Sequence, residues 1–436
     1  MVASPSPDVS GPVSTQAPTG RWAILALLVV ANTLNQLDRQ LPYILIEDIR
    51  RDLSLTDTQI GLLGGVAFSL VYAVIGIPLG RLADSSSRKW VLIGCVSVWS
   101  LMTAMGGLAR NFVQLAATRA GVAVAEAGCS PASHSTIADL FPDRRGFALG
   151  VYTAGVPAGI MIGLALGGVL VDLLDWRTVL FIFGIPGAVL AVAFLFVREP
   201  PRRALAAGVS PRRTKAALGV LFSRRSYVWM AIAATLNAMP GASAAAFGAA
   251  YLMRTFHFSA TQAGVSYGLM SGTVSVTGMV LAGAIGDRLA KSDPSRRLRF
   301  VAVVLMAAAP CFITAFVAPI PQVFFVFLAM NALFQASFLP MTFAAAQAVV
   351  TSDMRATASA VMLFTFTVGG AMTGPILVGA ISDRLLPIVG EERALGNALA
   401  CMGLMVFLAA AAFWMASRRH NADVAAAARE EAPAAA

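Results

Sequence analysis

Long apolar stretches alternate with short polar segments along almost the whole chain. A helix needs about 20 mostly apolar residues to cross a bilayer. The sequence predicts twelve such spans, at residues 22–46, 59–81, 90–109, 114–138, 146–171, 176–197, 226–253, 261–285, 300–318, 322–348, 357–382 and 395–416. Most connecting segments are short, so we expect consecutive helices to be antiparallel neighbours in an all-α membrane protein.

One connection is long and basic, and it divides the chain into six spans plus six. We therefore predict five segments. They are a disordered cytoplasmic tail at 1–20, an N-terminal six-helix bundle at 21–197, a basic cytoplasmic linker at 198–225, a C-terminal six-helix bundle at 226–416 and a cytoplasmic tail at 417–436.

Two short patterns recur in both halves at nearly one offset. The first has a glycine, an aspartate four residues later and a base four residues after that; it occurs as Gly80, Asp84, Arg88 and as Gly283, Asp287, Lys291. The second opens with an aspartate and an arginine before spans 5 and 11, in the segments 143–148 and 353–358. Two matches at similar offsets indicate two pseudo-symmetric halves, as in several transporter folds.

Composition supports the membrane assignment. Only 12 % of residues are charged and 58 % are hydrophobic, with a mean hydropathy of +0.75, whereas soluble domains carry roughly 25 % charged residues. The net charge of +10 does not indicate nucleic-acid binding, because the bases lie in short loops between apolar runs. With both termini inside, predicted cytoplasmic segments hold 23 of the 32 Lys and Arg residues and external loops hold seven, so we predict cytoplasmic termini.

The sequence offers no pattern for a metal, a cofactor or an enzyme active site. The four cysteines lie inside apolar runs and the three histidines are dispersed, so neither disulfides nor a zinc site is expected. We find no nucleophile elbow, HExxH, P-loop or dinucleotide-binding glycine motif. We therefore expect no enzymatic activity and no cofactor, with protons as the coupling ion.

Several segments resemble a known family. The segment from Gly80 to Lys89 resembles the signature between spans 2 and 3 of the major facilitator superfamily, although Ser85 and Ser87 depart from it. The segments 126–145 and 35–39, the latter reading Asn-Gln-Leu-Asp-Arg, resemble the Spinster-like branch. That branch includes exporters of sphingosine phosphate and lysophospholipids. The resemblance implies alternating access by two six-helix domains around a central cavity, usually coupled to protons, in a bacterial inner membrane.

Four charged residues are predicted deep within spans, and all lie in the N-terminal half: Asp38, Arg39, Arg119 and Glu126. A charge near the middle of a bilayer is costly and is usually functional. Arg119 and Glu126 are two turns apart and share a helix face, and Asp38 falls between them in depth. If spans 1 and 4 line the cavity, Asp38 can pair with Arg119, while Glu126 faces water and substrate.

This arrangement suggests a proton switch in which Asp38 and Glu126 carry proton coupling. The alternative is a static ion pair that holds two helices together. Arg39 points about 100° from Asp38 and can serve a second partner or the external vestibule. Arg39, Arg119 and Asn35 are our candidates for binding substrate or for ion pairing.

Glycines recur at every fourth position in spans 5 and 8, including Gly155, Gly159 and Gly163, and Gly264 and Gly268. Such ridges let helices approach closely in lipid. Because spans 5 and 8 face each other in the superfamily, we predict that both ridges close an external gate. The alternative is packing within one half. The resemblance also implies an inner gate, formed by Gly80, Asp84, Arg88, Arg145 and Asp287.

The C-terminal half offers neutral groups instead of buried charges. Its spans contain Asn237, Ser243, Tyr267, Ser271, Asn331, Gln335, Gln347 and Thr373, together with Phe334, Phe338, Phe364, Phe366 and Met362. This mixture suits an amphipathic ligand.

We predict a monomeric, proton-coupled transporter of an amphipathic or anionic organic solute, such as a lysophospholipid or sphingoid-type lipid. The alternatives are an organic-acid or drug transporter of the same superfamily and a non-transporting membrane receptor. The bilayer and the solute are the expected partners, and nucleic acid is not.

Overall fold

The computed structural model describes residues 20–197, 199, 214–290 and 293–431. Residues 1–19 of the tail predicted at 1–20, and most of the basic linker, lie outside these residues. No strand occurs in the described part of the chain, and most of its residues are helical.

The helices of the first half correspond to the six predicted spans. Their bounds are α1 Arg21–Ile44, α2 Ile46–Leu53, α3 Asp57–Gly64, α4 Val71–Ser85, α5 Arg88–Gly106, α6 Phe112–Glu126, α7 Cys129–Leu140, α8 Arg145–Thr153, α9 Gly155–Leu173 and α10 Trp176–Leu195. Spans 1, 3 and 6 are single helices, and spans 2, 4 and 5 are each interrupted once.

The second half repeats this plan after α11, which covers Thr214–Ser223. Its bounds are α12 Arg225–Phe256, α13 Ala260–Ala290, α14 Ser295–Phe316, α15 Pro321–Gln335, α16 Phe338–Ala348, α17 Arg355–Phe364, α18 Thr373–Val389, α19 Glu391–Cys401 and α20 Gly403–Glu431. Nine helices in the described ranges are long and apolar enough to cross a membrane. The prediction of an all-α membrane fold is confirmed.

Two spans are interrupted by a π-helical segment at mid-length. Gly65–Leu70 separates α3 from α4 in span 2, and Thr365–Ala371 separates α17 from α18 in span 11. Single π-helical turns inside α-helices are frequent at functional sites because they redirect side chains locally. Spans 2 and 11 lie opposite each other across the two halves.

The last helix, α20, continues past residue 416, where the predicted span 12 ends, and packs on the ends of its own half. The carboxylate of Asp423 accepts hydrogen bonds from the backbone and hydroxyl of Ser226, and Asn421 donates to Asp293. Hydrogen bonds from Asn421 and Ser295 lower the pKa of Asp293 to about 2, so its carboxylate stays charged. The tail predicted from residue 417 onward is therefore helical as far as Glu431.

Buried apolar residues form three clusters, which show how the halves meet. One cluster joins both halves at the end predicted to be external and includes Leu41, Phe247, Tyr251 and Phe324. At the opposite end each half has its own separate cluster. The halves are therefore packed together at the predicted external end and parted at the predicted cytoplasmic end.

Candidate functional site

A buried ion pair links spans 1 and 4. Asp38 Oδ2 accepts a hydrogen bond from Arg119 Nη1 at 3.2 Å, and Asp38 Oδ1 accepts one from the Thr103 hydroxyl at 2.5 Å. Asp38 is 4 % exposed and Arg119 is 7 % exposed. The predicted contact between these two residues is confirmed.

A second buried pair joins the same two spans. Arg39 Nε donates to Glu126 Oε2 at 2.7 Å. Glu126 is completely buried, so the prediction that it faces water and substrate is wrong. The reason is that Arg39 covers it and is itself about one quarter exposed. Glu126 Oε1 has no hydrogen-bond partner among the described residues.

Local breaks in the helices explain this arrangement. Span 4 is interrupted directly after Glu126, between α6 and α7, so Glu126 ends a helical segment inside the bundle. The π-helical segment of span 2 places the ring of Phe68 between the two arginines, with Arg39 at 5.0 Å and Arg119 at 5.5 Å from the ring centre. Arg39 also lies 4.5 Å from the ring centre of Tyr72. Cation–π contacts of this kind stabilise a desolvated guanidinium.

The two arginines line a central cavity of about 230 Å³. Five of the other lining residues are polar or aromatic, namely Gln36, Gln40, Tyr43, Phe68 and Ser69, and the rest are apolar residues and one glycine. Asn35, which we proposed as a binding residue, is buried on α1 and is not among the lining residues. A solute in this cavity therefore meets the cations directly, whereas both partner carboxylates lie behind them.

A second, larger lobe of about 540 Å³ adjoins the first, because Gln40, Ala242, Ala245 and Ala371 line both. It is formed mainly by the second half. Seven of the predicted neutral or aromatic residues line it: Asn237, Tyr267, Ser271, Asn331, Gln335, Phe338 and Phe366. The predicted division into a charged first half and a neutral second half is thus present in the cavity walls.

An ionic cluster joins the halves at the predicted external end. Arg254 of α12 donates two hydrogen bonds to Asp57 and one to Glu47, each at 2.7–2.8 Å. The Ser382 hydroxyl of span 11 donates to the same Asp57 at 2.7 Å. Arg254, Glu47 and Asp57 are each less than 9 % exposed. Sequence analysis placed Arg254 in a loop, because the predicted span ended at residue 253.

Two aspartates cap helices across the same interface. Asp383 of span 11 accepts hydrogen bonds from the backbone N–H groups of Asp57 and Thr58, both at 2.9 Å, at the start of α3. Asp172 of span 5 accepts from the N–H groups of Ala260 and Thr261, at 3.2 and 2.8 Å, at the start of α13. The negative charge satisfies unpaired N–H groups at each helix start. The two caps are related by the pseudo-symmetry of the halves.

The glycine ridges do not face each other as predicted. Gly155, Gly159 and Gly163 pack against α1 of their own half, where an added Cβ would lie 2.9 Å or less from α1 atoms. Gly264 and Gly268 do pack across the halves, against Leu164 and Met161 of span 5. Our prediction was therefore wrong for the span 5 glycines, because that helix presents its glycine face to α1 and its larger residues to α13.

The predicted inner-gate residues lie at the end where the halves are parted. Arg88 is 1 % exposed and pairs within its own half with Asp139 and Glu199. Gly80 lies 3.9 Å from Pro131 of span 4, measured from its ideal Cβ position. Arg145 is exposed. The side chains of Asp84 and Asp287 lie outside the described part of the structure, so the inner gate stays a prediction.

The functional residues that sequence analysis missed share one property: their partners are distant in the chain. Arg254 contacts residues about 200 positions away, and Asp172 and Asp383 cap helices in the other half. The available signal was an acidic cluster between spans 1 and 2, namely Glu47, Asp48, Asp52 and Asp57. The same loop also carries Arg50 and Arg51, so the sequence does not indicate that a base of the other half pairs with these acids.

Comparisons with known proteins agree with this architecture. The family model described as Major Facilitator Superfamily matches residues 28–292 and 232–436. An "MFS-type efflux pump" of Mycolicibacterium smegmatis is 37 % identical over 409 residues, which cover 93 % of this chain and 95 % of that protein. Human "Protein spinster homolog 1" is 29 % identical over 443 residues, which cover 92 % of this chain and 82 % of that protein.

Among solved structures, a bacterial homolog of the human lysosomal transporter Spinster has a similar fold. In its inward-facing, unoccupied conformation it matches with a TM-score of 0.84 and 27 % identity, covering 92 % of this chain and 98 % of that one. The inward-facing conformation of that homolog agrees with the packing described above, which joins the halves at the predicted external end.

Proposed function

The chain belongs to the major facilitator superfamily and is a Spinster-like membrane transporter rather than an enzyme; from that premise we propose proton-coupled alternating-access transport of an amphipathic or anionic organic solute. The single observation that carries the proposal is the paired arrangement of Asp38–Arg119 and Glu126–Arg39 in the wall of the central cavity. We further propose a monomer in a bacterial inner membrane, with both termini cytoplasmic.

The coupling step follows from competition for Arg39. Its guanidinium lines the cavity while its partner Glu126 is buried behind it. An anionic group in the cavity can draw Arg39 away from Glu126. A buried carboxylate that loses its counter-ion is costly, so proton uptake by Glu126 would accompany binding of the anion. The unpartnered Glu126 Oε1 offers a position for that proton.

The shape of the cavity supports an amphipathic solute. The anionic end of such a molecule would lie against Arg39 and Arg119 in the smaller lobe, and the apolar part would occupy the larger lobe. The aromatic ring of Phe68 between the arginines limits water around the charges. The names of the similar proteins, an efflux pump and a Spinster homolog, support a transport function.

Alternating access requires that the external closure can open. The closure consists of the Arg254 cluster, the two aspartate caps and the packing of α13 on span 5. Polar contacts of this kind can be replaced by water when the halves separate, and the apolar cluster that includes Leu41 and Phe247 must part at the same time. We propose that these contacts form the external gate and that the residues near Asp84 and Asp287 form the inner one.

The experiment is transport in proteoliposomes with and without a pH gradient, after a thermal-shift screen of lysolipids, sphingoid phosphates and organic acids has identified a solute. We expect the gradient to drive transport in the wild type and to have no effect in Glu126→Gln. Unchanged dependence on the gradient in both Glu126→Gln and Asp38→Asn would contradict coupling. Binding without transport would instead indicate a receptor.

A further inference from the structure

The larger lobe of the cavity contains a polar pair whose hydrogen-bonding capacity is not used up. Asn237 Nδ2 donates to Gln335 Oε1 at 2.8 Å. Asn237 is 4 % exposed, and its Oδ1 has no partner among the described residues. Gln335 Oε1 accepts this hydrogen bond, so the Nε2 group of Gln335 is still available as a donor. Both residues line the lobe.

The pair has one unused donor and one unused acceptor whichever way the two amides are oriented. Amide oxygen and nitrogen are assigned from the hydrogen-bond network, and either group can be turned by 180°. If Gln335 donated to Asn237 instead, the pair would still present one unused acceptor and one unused donor. Buried amides without partners are costly, so the pair is suited to a ligand that satisfies both groups.

Two other polar residues of the lobe, Tyr267 and Asn331, are engaged with the backbone. The Tyr267 hydroxyl donates to the Ala244 carbonyl at 2.7 Å, and Asn331 Nδ2 donates to the Ala308 carbonyl at 3.0 Å. These two residues therefore stabilise helix packing. Asn237 and Gln335 differ from them because their only described hydrogen bond is to each other.

There is room for a ligand beside the pair. Gly241 follows Asn237 by one helical turn on the same face of α12 and lines the same lobe. A Cβ at Gly241 would have no atom within 4 Å. The stacked rings of Phe338 and Phe366, 6.1 Å apart, form another part of the apolar wall.

We propose that Asn237 and Gln335 form a subsite for a hydroxyl group carried on the apolar part of the transported solute. A hydroxyl both donates and accepts, which matches the unused acceptor and donor of the pair. A charged group would lack a counter-ion, since no charged residue is among those that the structure shows lining this lobe. An unsubstituted alkyl chain would leave Asn237 unsatisfied. This inference rests on the proposed function, because it assigns specificity within the same cavity.

The test compares matched single-chain probes on the purified full-length protein. The probes are dodecyl phosphate and a series of dodecyl phosphates with one hydroxyl at successive carbons. By calorimetry, we expect one positional isomer to bind the wild type about tenfold more tightly than dodecyl phosphate, the effect of one good hydrogen bond. Asn237→Leu and Gln335→Leu should each remove this preference, so that the favoured isomer binds no more tightly than dodecyl phosphate. Gln347→Leu, which changes an amide of the same half that bonds to Ser359 and is not among the residues lining the lobe, should retain it.

The outcomes separate this inference from the proposed function. Equal binding of every isomer by the wild type, or a preference that survives in both folded leucine variants, overturns the hydroxyl subsite. Loss of dodecyl phosphate binding in Arg39→Gln supports the anion site independently, and its persistence contradicts that site. Dodecanol and the corresponding diols test the subsite without an anionic group: a preference for one diol that Gln335→Leu abolishes supports it, and no preference overturns it.

Discussion

Arg254 of the second half and Asp57 of the first half form a two-pronged ion pair, with both guanidinium nitrogens 2.8 Å from the carboxylate oxygens. Glu47 binds the remaining Nε, and Ser382 donates to Asp57. Every hydrogen bond that the structure describes between the two halves lies at the predicted external end, where this pair lies. The pair is buried, so it is screened little by salt, and it holds the two halves together in a defined register.

Removing Arg254 should open this end of the molecule. Arg254→Gln leaves Asp57 buried without its ion-pair partner and leaves Glu47 with Arg50 alone, at 3.4 Å; breaking a buried ion pair costs about 3–5 kcal/mol. We expect spin-label distances across the predicted external end to lengthen in a large fraction of molecules. Arg393→Gln is the control, because Arg393 is exposed at the same end. Unchanged distances in Arg254→Gln would exclude a gating role for the cluster.

The two aspartate caps should contribute to closure about equally and independently. Loss of a helix cap costs roughly 1 kcal/mol, so Asp172→Ala and Asp383→Ala should each shift the equilibrium towards the externally open state. Because the caps lie on different helices, the double variant should show the sum. Asp175→Ala is the matched control, since Asp175 caps α10 within its own half. Asp175→Ala should lower the free energy of unfolding without changing the distribution of spin-label distances across the predicted external end.

Disulfide trapping distinguishes the observed helix interface from the one predicted from sequence. An ideal Cβ on Gly272 lies 3.5 Å from Met161 Cβ, a separation that a disulfide allows. In a background without the four native cysteines, Met161→Cys with Gly272→Cys should cross-link readily on oxidation and stop transport. Gly163→Cys with Gly268→Cys should not cross-link, because Gly163 faces α1. The reverse result would restore the original ridge-to-ridge prediction.

Alanine at two glycines should separate a gating effect from a folding effect. A Cβ at Gly264 would lie 2.1 Å from the Leu164 carbonyl of the other half, whereas a Cβ at Gly159 would lie 2.4 Å from the Thr33 carbonyl of its own half. Such overpacking costs about 1–3 kcal/mol. Gly264→Ala should lengthen spin-label distances across the predicted external end and leave the melting temperature unchanged. Gly159→Ala should lower the melting temperature, because its packing lies within one half. Gly94→Ala, which meets no atom within 4 Å, should change neither quantity.

The Arg39–Glu126 pair should show strong energetic coupling. Arg39→Ala leaves Glu126 buried without its counter-ion, and breaking a buried pair destabilises by about 3–5 kcal/mol. Glu126→Gln added to Arg39→Ala should recover most of that stability, measured by denaturant unfolding in detergent. An additive double variant would show that the two side chains are energetically independent, which would contradict the proposed coupling step.

The sequence alone was enough to predict the spans and the two halves. Apolar length is a local property, and a bilayer requires helices of one length, so residue runs map directly onto spans. The estimated depths also allowed Asp38 to pair with Arg119, provided that spans 1 and 4 both line the cavity as the family resemblance implies, and the structure shows this contact. The neutral character of the second cavity wall followed from residue types in its spans.

The tertiary structure decided which partners meet. Asp38 and Arg39 are adjacent on α1, and both pair with residues of span 4, Arg119 and Glu126, although neighbouring side chains on a helix point about 100° apart. The sequence therefore did not predict the Arg39–Glu126 pair. Likewise, Arg254, Asp172 and Asp383 act across the two halves, and contacts of that kind depend on how two bundles dock rather than on any local pattern. The sequence determined which segments form helices and which residue types each helix carries. The packing of the two halves against each other decided that the molecule is closed at the predicted external end.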